Sequence, residues 1–230
     1  MSKIEIRSHP KLYEVYMSGP SDNLKLYSKN LIPGHNVYSE RLIEHKGIEY
    51  REWDPFRSKL AALILKNPTS NFLSNSLNCL YLGASSGTTI SHLSDIVKDG
   101  MIYGIEFAER SIRQLIQNTS NRKNIVPILG DVRYPESYAK SIFNDIDLIY
   151  QDVAQPNQAE IAVLNSNYYL KRDGLIILAI KSQSIDSVSK SEKVYKQEKD
   201  ILENAGYEIL ESINLHKYAA NHIILIVKKK

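Results

Sequence analysis

From residue 77 onward, short apolar runs alternate with longer segments of helical spacing, and nothing else in the chain limits its fold as strongly. The runs are "LNCLYLG", "MIYGIEF", "NIVPILGD", "IDLIYQD", "GLIILAIK", "YEILESINL" and "NHIILIVKK". Between them lie "TTISHLSDIVKD", "AERSIRQLIQNTS", "YPESYAKSIFN" and "NQAEIAVLNSNYYLKRD", each long enough for a crossover helix. Such alternation predicts an α/β fold built on a mostly parallel sheet with helices on both faces. The last two runs follow a long helical segment, "KVYKQEKDILENAG", and are joined by the short "HKYAA", which predicts an antiparallel hairpin. A hydrophobic content of 43% in 230 residues supports a core of that size.

Residues 1–54 read differently. Short alternating runs, "KLYEVYMSG", "NLKLYSKN" and "EYREW", are broken by Gly-Pro, Pro-Gly and Asp-Asn, which predicts a small β-meander. In "DPFRSKLAALILKN", Ser58 can cap a helix whose Leu60, Leu63 and Ile64 form an apolar face. The expected division is an N-terminal β-rich domain, 1–54, and an α/β domain, 55–230.

Open sheets of this type bind ligands beyond the carboxyl ends of their strands. The residues ending the strands are Gly83, Glu106, Asp131, Asp152 and Lys181. The first follows "CLYL" and opens "GASSGTT", a loop that partly fits three chemistries. A phosphate loop requires a lysine after the second glycine, where Thr88-Thr89 stand instead. A dinucleotide fingerprint requires a third glycine that the loop lacks. "GASSG" also fits the nucleophile elbow of a serine hydrolase, with Ser85, Asp152 and His222 in the chain order of that fold. That elbow, however, comes after several strands, and here it would follow the first parallel one.

The remaining reading is a class I methyltransferase holding S-adenosyl-L-methionine. The loop of Gly83, Ala84, Ser85 and Gly87 would face the methionine moiety, Glu106 would accept from both ribose hydroxyls, and Asp131 would lie near the adenine amine. Asp152 suits a ligand whose sulfur is positively charged in the ground state.

Together "YLGASSGTT", "YGIEFAER", "NIVPILGDVRYPESY", "IYQDVAQPNQAEI", "AIKSQSID" and "RSKLAAL" resemble the fibrillarin family, in its archaeal form, over nearly the whole chain. The resemblance implies a Rossmann-like fold and 2'-O-methylation of ribose in rRNA or tRNA, at a site chosen by a box C/D guide RNA. It places Thr88-Thr89, Glu106-Phe107, Asp131-Val132 and the stretch Asp152, Val153, Ala154 and Gln155 on cofactor-binding motifs. It also places Lys59, Asp152, Lys181 and His222 on the polar constellation of ribose 2'-O-methyltransferases; related enzymes carry a Glu where His222 stands. The implied partners are a Nop-domain scaffold protein and a kink-turn-binding protein of the L7 type, with no metal.

A ribose hydroxyl is a weak nucleophile, so attack on a sulfonium methyl needs positioning and then proton removal. Lys181 ends a buried run at the ligand edge and takes the role of base. Lys59 supplies a neighbouring positive charge, which favours a neutral amine beside it.

Charge sharpens the partner question. Lys+Arg total 29 against Asp+Glu 26, a net charge of +3, too little for strong binding of RNA by the chain alone. No RRM or KH signature is present, so base reading is left to a partner. A small-molecule methyltransferase is the alternative, and a fold kept for binding without catalysis is a second. The former would leave the meander and the basic residues Arg57, Arg122, Lys123 and Arg133, read as surface, without a purpose. The single Cys79 lies in an apolar run, which excludes a disulfide framework and fits a cytoplasmic location. No apolar window approaches the ~20 residues that cross a bilayer.

Overall fold

The computed structural model describes residues 4–229. Five strands precede Asp54: β1 (Arg7–Ser8), β2 (Val15–Ser18), β3 (Lys25–Lys29), β4 (Leu42–His45) and β5 (Ile48–Trp53). They form one antiparallel sheet in the order β1-β2-β3-β5-β4, which departs from the expected meander. The departure arises in the long connection between β3 and β4, residues 30–41, which carries β4 past the position next to β3. The turn Lys46-Gly47, where φ is 52° and 73°, then reverses the chain. Two successive left-handed residues close a tight hairpin with His45 opposite Ile48, and β5 returns along the free edge of β3.

The rest of the chain alternates helices and strands: α1 (Lys59–Leu65), β6 (Cys79–Leu82), α2 (Thr88–Ile96), β7 (Ile102–Glu106), α3 (Glu109–Thr119), β8 (Ile125–Leu129), β9 (Ile146–Gln151), α4 (Gln158–Tyr169), β10 (Leu170–Lys181), α5 (Ser182–Ile185), α6 (Ser191–Asn204), β11 (Tyr207–Asn214) and β12 (His222–Lys229). The strands form a seven-stranded sheet, β11-β12-β10-β9-β6-β7-β8. The pairs from β10 to β8 are parallel, and β12 is antiparallel to both of its neighbours. Strand order reverses between β6 and β9, which opens a crevice at their carboxyl ends. The segment "YPESYAKSIFN" forms a 3-10 helix at Pro135–Ser141 in place of the expected α-helix. Its inward face offers Pro135 and the buried ring of Tyr138, too little apolar surface for a longer helix.

The two sheets share one core. Val15, Leu26 and Trp53 pack in the same cluster as Leu60, Leu63, Tyr81, Ile90 and Leu93. A second cluster, with Leu80, Leu82, Ile105, Ile149, Ile161 and Leu202, fills the opposite face of the seven-stranded sheet.

Helix α2 is buried from Thr89 to Ile96, polar residues included. Its His92 stacks on Trp53, with ring centroids 4.7 Å apart and planes 11° from parallel. Its Asp95 pairs with Arg51 at 2.7 Å and with Arg122 at 2.6 Å, and Arg51 also pairs with Glu40 at 2.6 Å. Arg122 is thus not one of the solvated basic residues that the sequence suggests, because it is 4% exposed and serves this network. Lys123, Arg133 and Arg57 are exposed, the last stacked on the Tyr38 ring at 4.7 Å.

Candidate active site

The glycine loop leaves β6 through Gly83, whose φ of +85° is open to few other residues. A Cβ at Gly83 would lie 2.4 Å from the Asp152 carbonyl oxygen, so the loops after β6 and β9 touch only because this residue is glycine. The N–H groups of Gly83 and Ala84 both donate to the Ile105 carbonyl at 3.0 Å. Ser85 takes a left-handed φ of 52°, and its N–H donates to Glu106 Oε2 at 2.8 Å. Glu106 Oε1 accepts the Ala108 N–H at 2.9 Å. The carboxylate is therefore fixed on both oxygens, each with a lone pair left for a ligand. Gly87, at φ +108°, stands at the N-cap of α2.

A cavity of about 170 Å³ lies against this loop. It is lined by Gly83, Ser85, Glu106, Phe107, Val132, Asp152, Val153, Ala154 and Gln155, together with Ile105 and Gly130. Phe107 is 65% exposed beside it, an aromatic face open to a planar ring. The other proposed cofactor residues do not line the cavity. Ala84 is buried behind it, Thr88 gives its carbonyl to the Ser91 hydroxyl, and Thr89 Oγ1 donates to Ser58 Oγ at 3.0 Å. Asp131 holds Arg133, whose Nε and Nη2 donate at 3.0 and 2.5 Å and keep the carboxyl below its ordinary range.

Beside the cavity stand the polar residues. Ser58 caps α1 by accepting the Ala61 N–H, which directs Lys59 toward the crevice. Lys59 Nζ pairs with Asp152 Oδ2 at 2.9 Å, each side chain about a quarter exposed (25% and 25%). Lys181 ends β10, and His222 opens β12 directly opposite it. His222 Nδ1 donates to the Ala220 carbonyl at 2.7 Å, which leaves Nε2 as the acceptor of the neutral ring. Burial lowers the His222 pKa; Lys59 and Lys181 push the same way and Asp152 opposes them. All four residues of the expected constellation therefore share one electrostatic environment.

This arrangement does not build the Ser-His-Asp alternative. A triad needs the aspartate on the histidine Nδ1–H, but that proton goes to Ala220 and Asp152 is engaged by Lys59. Ser85 faces the cavity through a loop whose amide, not its hydroxyl, is the engaged group.

One residue of the site escaped the sequence reading: Gln158, whose side chain bridges the chain on either side of the crevice. Its only signal was a second glutamine two residues beyond Pro156 in "DVAQPNQAEI".

The reversed parallel sheet, the antiparallel C-terminal hairpin, the glycine loop and the acid that ends the second parallel strand define the class I methyltransferase fold. Cavity and side chains fit a nucleoside with a positively charged sulfur: a doubly held carboxylate, a glycine where a side chain would block the loop, and an exposed aromatic. The chain belongs to the fibrillarin family, whose family model matches residues 6–230. It is 43% identical, over the full length of both chains, to the fibrillarin-like rRNA/tRNA 2'-O-methyltransferase of Saccharolobus solfataricus. Among solved structures it resembles Aeropyrum pernix fibrillarin in complex with natively bound S-adenosyl-L-methionine (TM-score 0.89, 41% identity, covering 99% of this chain and 100% of that one). It also resembles a chain of a fibrillarin/Nop5p complex (TM-score 0.85, 37% identity, covering 95% and 99%).

Proposed function

We propose that the chain transfers a methyl group from S-adenosyl-L-methionine to the 2'-hydroxyl of a ribose in rRNA or tRNA. The observation that carries this reading is the adjacency of two features: the cavity under Glu106 and the Lys59, Asp152, Lys181, His222 cluster, with Asp152 belonging to both. When bound, the cofactor supplies a methyl group on a positively charged sulfur. Asp152 holds Lys59 and sets a negative charge at the border between cofactor and acceptor. Among the described residues, Lys181 Nζ makes no salt bridge, so no carboxylate ties it down, and in its neutral form the amine takes the proton from the ribose oxygen. His222 Nε2 is left beside it as an acceptor for the substrate, and its Nδ1–H anchor fixes the ring orientation. Positioning contributes as much as proton removal, because the attacking oxygen must approach the methyl group in line.

Target choice comes from outside the chain. The relatives supply a solved complex with Nop5p, and we extend this to a Nop-domain scaffold, a kink-turn-binding L7-type protein and a box C/D guide RNA. The net charge of +3 supports this division of labour. Reconstituting the particle with a guide whose pairing segment is shifted by several nucleotides tests it. The methylated ribose should move by the same number, and a fixed site, or full-rate methylation by the chain alone, would reject it.

A further inference from the structure

We infer that Gln158 is a positioning residue that ties Lys181 to the loop lining the cofactor cavity; the inference rests on the functional reading above. Gln158 opens α4 and is fully buried. Its Oε1 accepts the backbone N–H of Lys181 at 3.0 Å, and its Nε2 donates to the Gln155 carbonyl at 3.0 Å. Both partners are main-chain groups of fixed polarity, so the amide has one orientation that satisfies it. Its own carbonyl is held by Gln151 Nε2 at 2.7 Å, from the last residue of β9.

Strand pairing explains why such a tether is needed. The parallel ladder between β9 and β10 ends at Gln151 opposite Leu178, because β9 stops there and the chain turns into the loop beginning at Asp152. β10 continues for three more residues to Lys181, held on its other side by β12. On the β9 side the Lys181 N–H has lost its strand partner, and the Gln158 amide stands in for it. Through its second hydrogen bond the same amide fixes Gln155, which lines the cavity together with Asp152, Val153 and Ala154. One buried side chain thus sets the spacing between the base and the cofactor loop. Asparagine is a methylene too short to reach both partners.

Two variants test this. In Gln158→Glu, the ionised carboxylate accepts from Lys181 but cannot donate to Gln155; protonation restores the missing donor. Burial raises a carboxyl pKa toward the working range, so the ratio of variant to wild-type kcat in the assembled particle should climb at least tenfold from pH 8 to pH 5.5. KM for the target RNA should stay near wild type, since Gln158 touches no substrate. A ratio that is flat with pH, or a defect confined to KM, would overturn the assignment. The second readout needs neither cofactor nor RNA. In Gln158→Met, NMR hydrogen exchange of the Lys181 amide should speed up by tenfold or more, while the amides of Ile176 and Ile177 keep wild-type protection. Unchanged protection at Lys181 would overturn the tether. If the wild-type particle transfers no methyl group, the functional reading fails, and the exchange measurement still decides the tether.

Discussion

Replacing Asp95 with asparagine should be among the most damaging changes far from the cavity. Asp95 Oδ2 accepts from Ser28 Oγ at 2.6 Å and Arg51 Nη1 at 2.7 Å, and Oδ1 accepts from the Leu31 N–H at 3.0 Å and Arg122 Nη1 at 2.6 Å. The side chains of Asp95, Arg51 and Arg122 are 0%, 0% and 2% exposed. Two guanidiniums are balanced there by two carboxylates, Asp95 and Glu40. Asparagine preserves the shape but turns one oxygen into a donor aimed at a guanidinium, and it leaves one buried positive charge uncompensated. Breaking a buried pair by removing one partner costs about 3–5 kcal/mol. That is a large part of the roughly 5–15 kcal/mol that holds a typical protein together. For a chain of this length each kcal/mol moves the melting temperature by about 2–4 °C, so Asp95→Asn should melt roughly 6–20 °C lower. Calorimetry together with urea unfolding would measure it. A loss below about 1 kcal/mol would show that the network is solvated or rearranges freely, and would refute its role as the joint between the two sheets.

Glu106→Ala should weaken S-adenosyl-L-methionine binding by about tenfold or more in calorimetry, because the Ser85 and Ala108 amides lose their shared acceptor along with the ligand. Lys181→Ala should lower single-turnover methyl transfer by ~10²–10⁴ with cofactor affinity near wild type; a loss below about threefold would remove it from the base role. Ser85→Ala should retain methyl transfer, since its amide rather than its hydroxyl is engaged. Stability should fall as pH drops below about 6.5, because burial, with Arg51 and Arg122 adding to it, holds the His92 pKa well below its ordinary value, and the unfolded chain then takes up a proton that the native state refuses. Glu198, whose carboxyl is raised by burial, opposes this trend at lower pH. His92→Gln should flatten the urea-unfolding profile between pH 5 and 6.5 by up to ~1.4 kcal/mol per pH unit, and an unchanged slope would remove His92 as the source.

What the sequence disclosed follows from the range of the forces involved. Period and punctuation are local, so the strand ends Gly83, Glu106, Asp152 and Lys181 could be gathered at one edge before any coordinates. Strand order is less legible: the connection 30–41 carries β4 past the edge of β3, and the turn Lys46-Gly47 that brings β5 back carries no Asn-Gly signature. Arg122 looks like any surface arginine, because the partner that buries it, Asp95, lies 27 residues away on α2. Helix α2 hides its polar face for the same reason: Ser91, His92 and Asp95 read as the solvent side until the first sheet covers them. Gln158 was invisible because its role depends on where the β9–β10 ladder ends, a register that no local pattern fixes.

The acceptor atom is the center of the account, and one substitution in the target isolates it. In a reconstituted particle charged with labelled S-adenosyl-L-methionine, the guided nucleotide would be supplied once as a ribonucleotide and once as its 2'-deoxy counterpart. Mass spectrometry of the digested target should find one added methyl group on the ribose of the first and none on the second. Methylation of the deoxy target at the same rate, or a methyl group found on the base, would contradict ribose 2'-O-methylation by this chain.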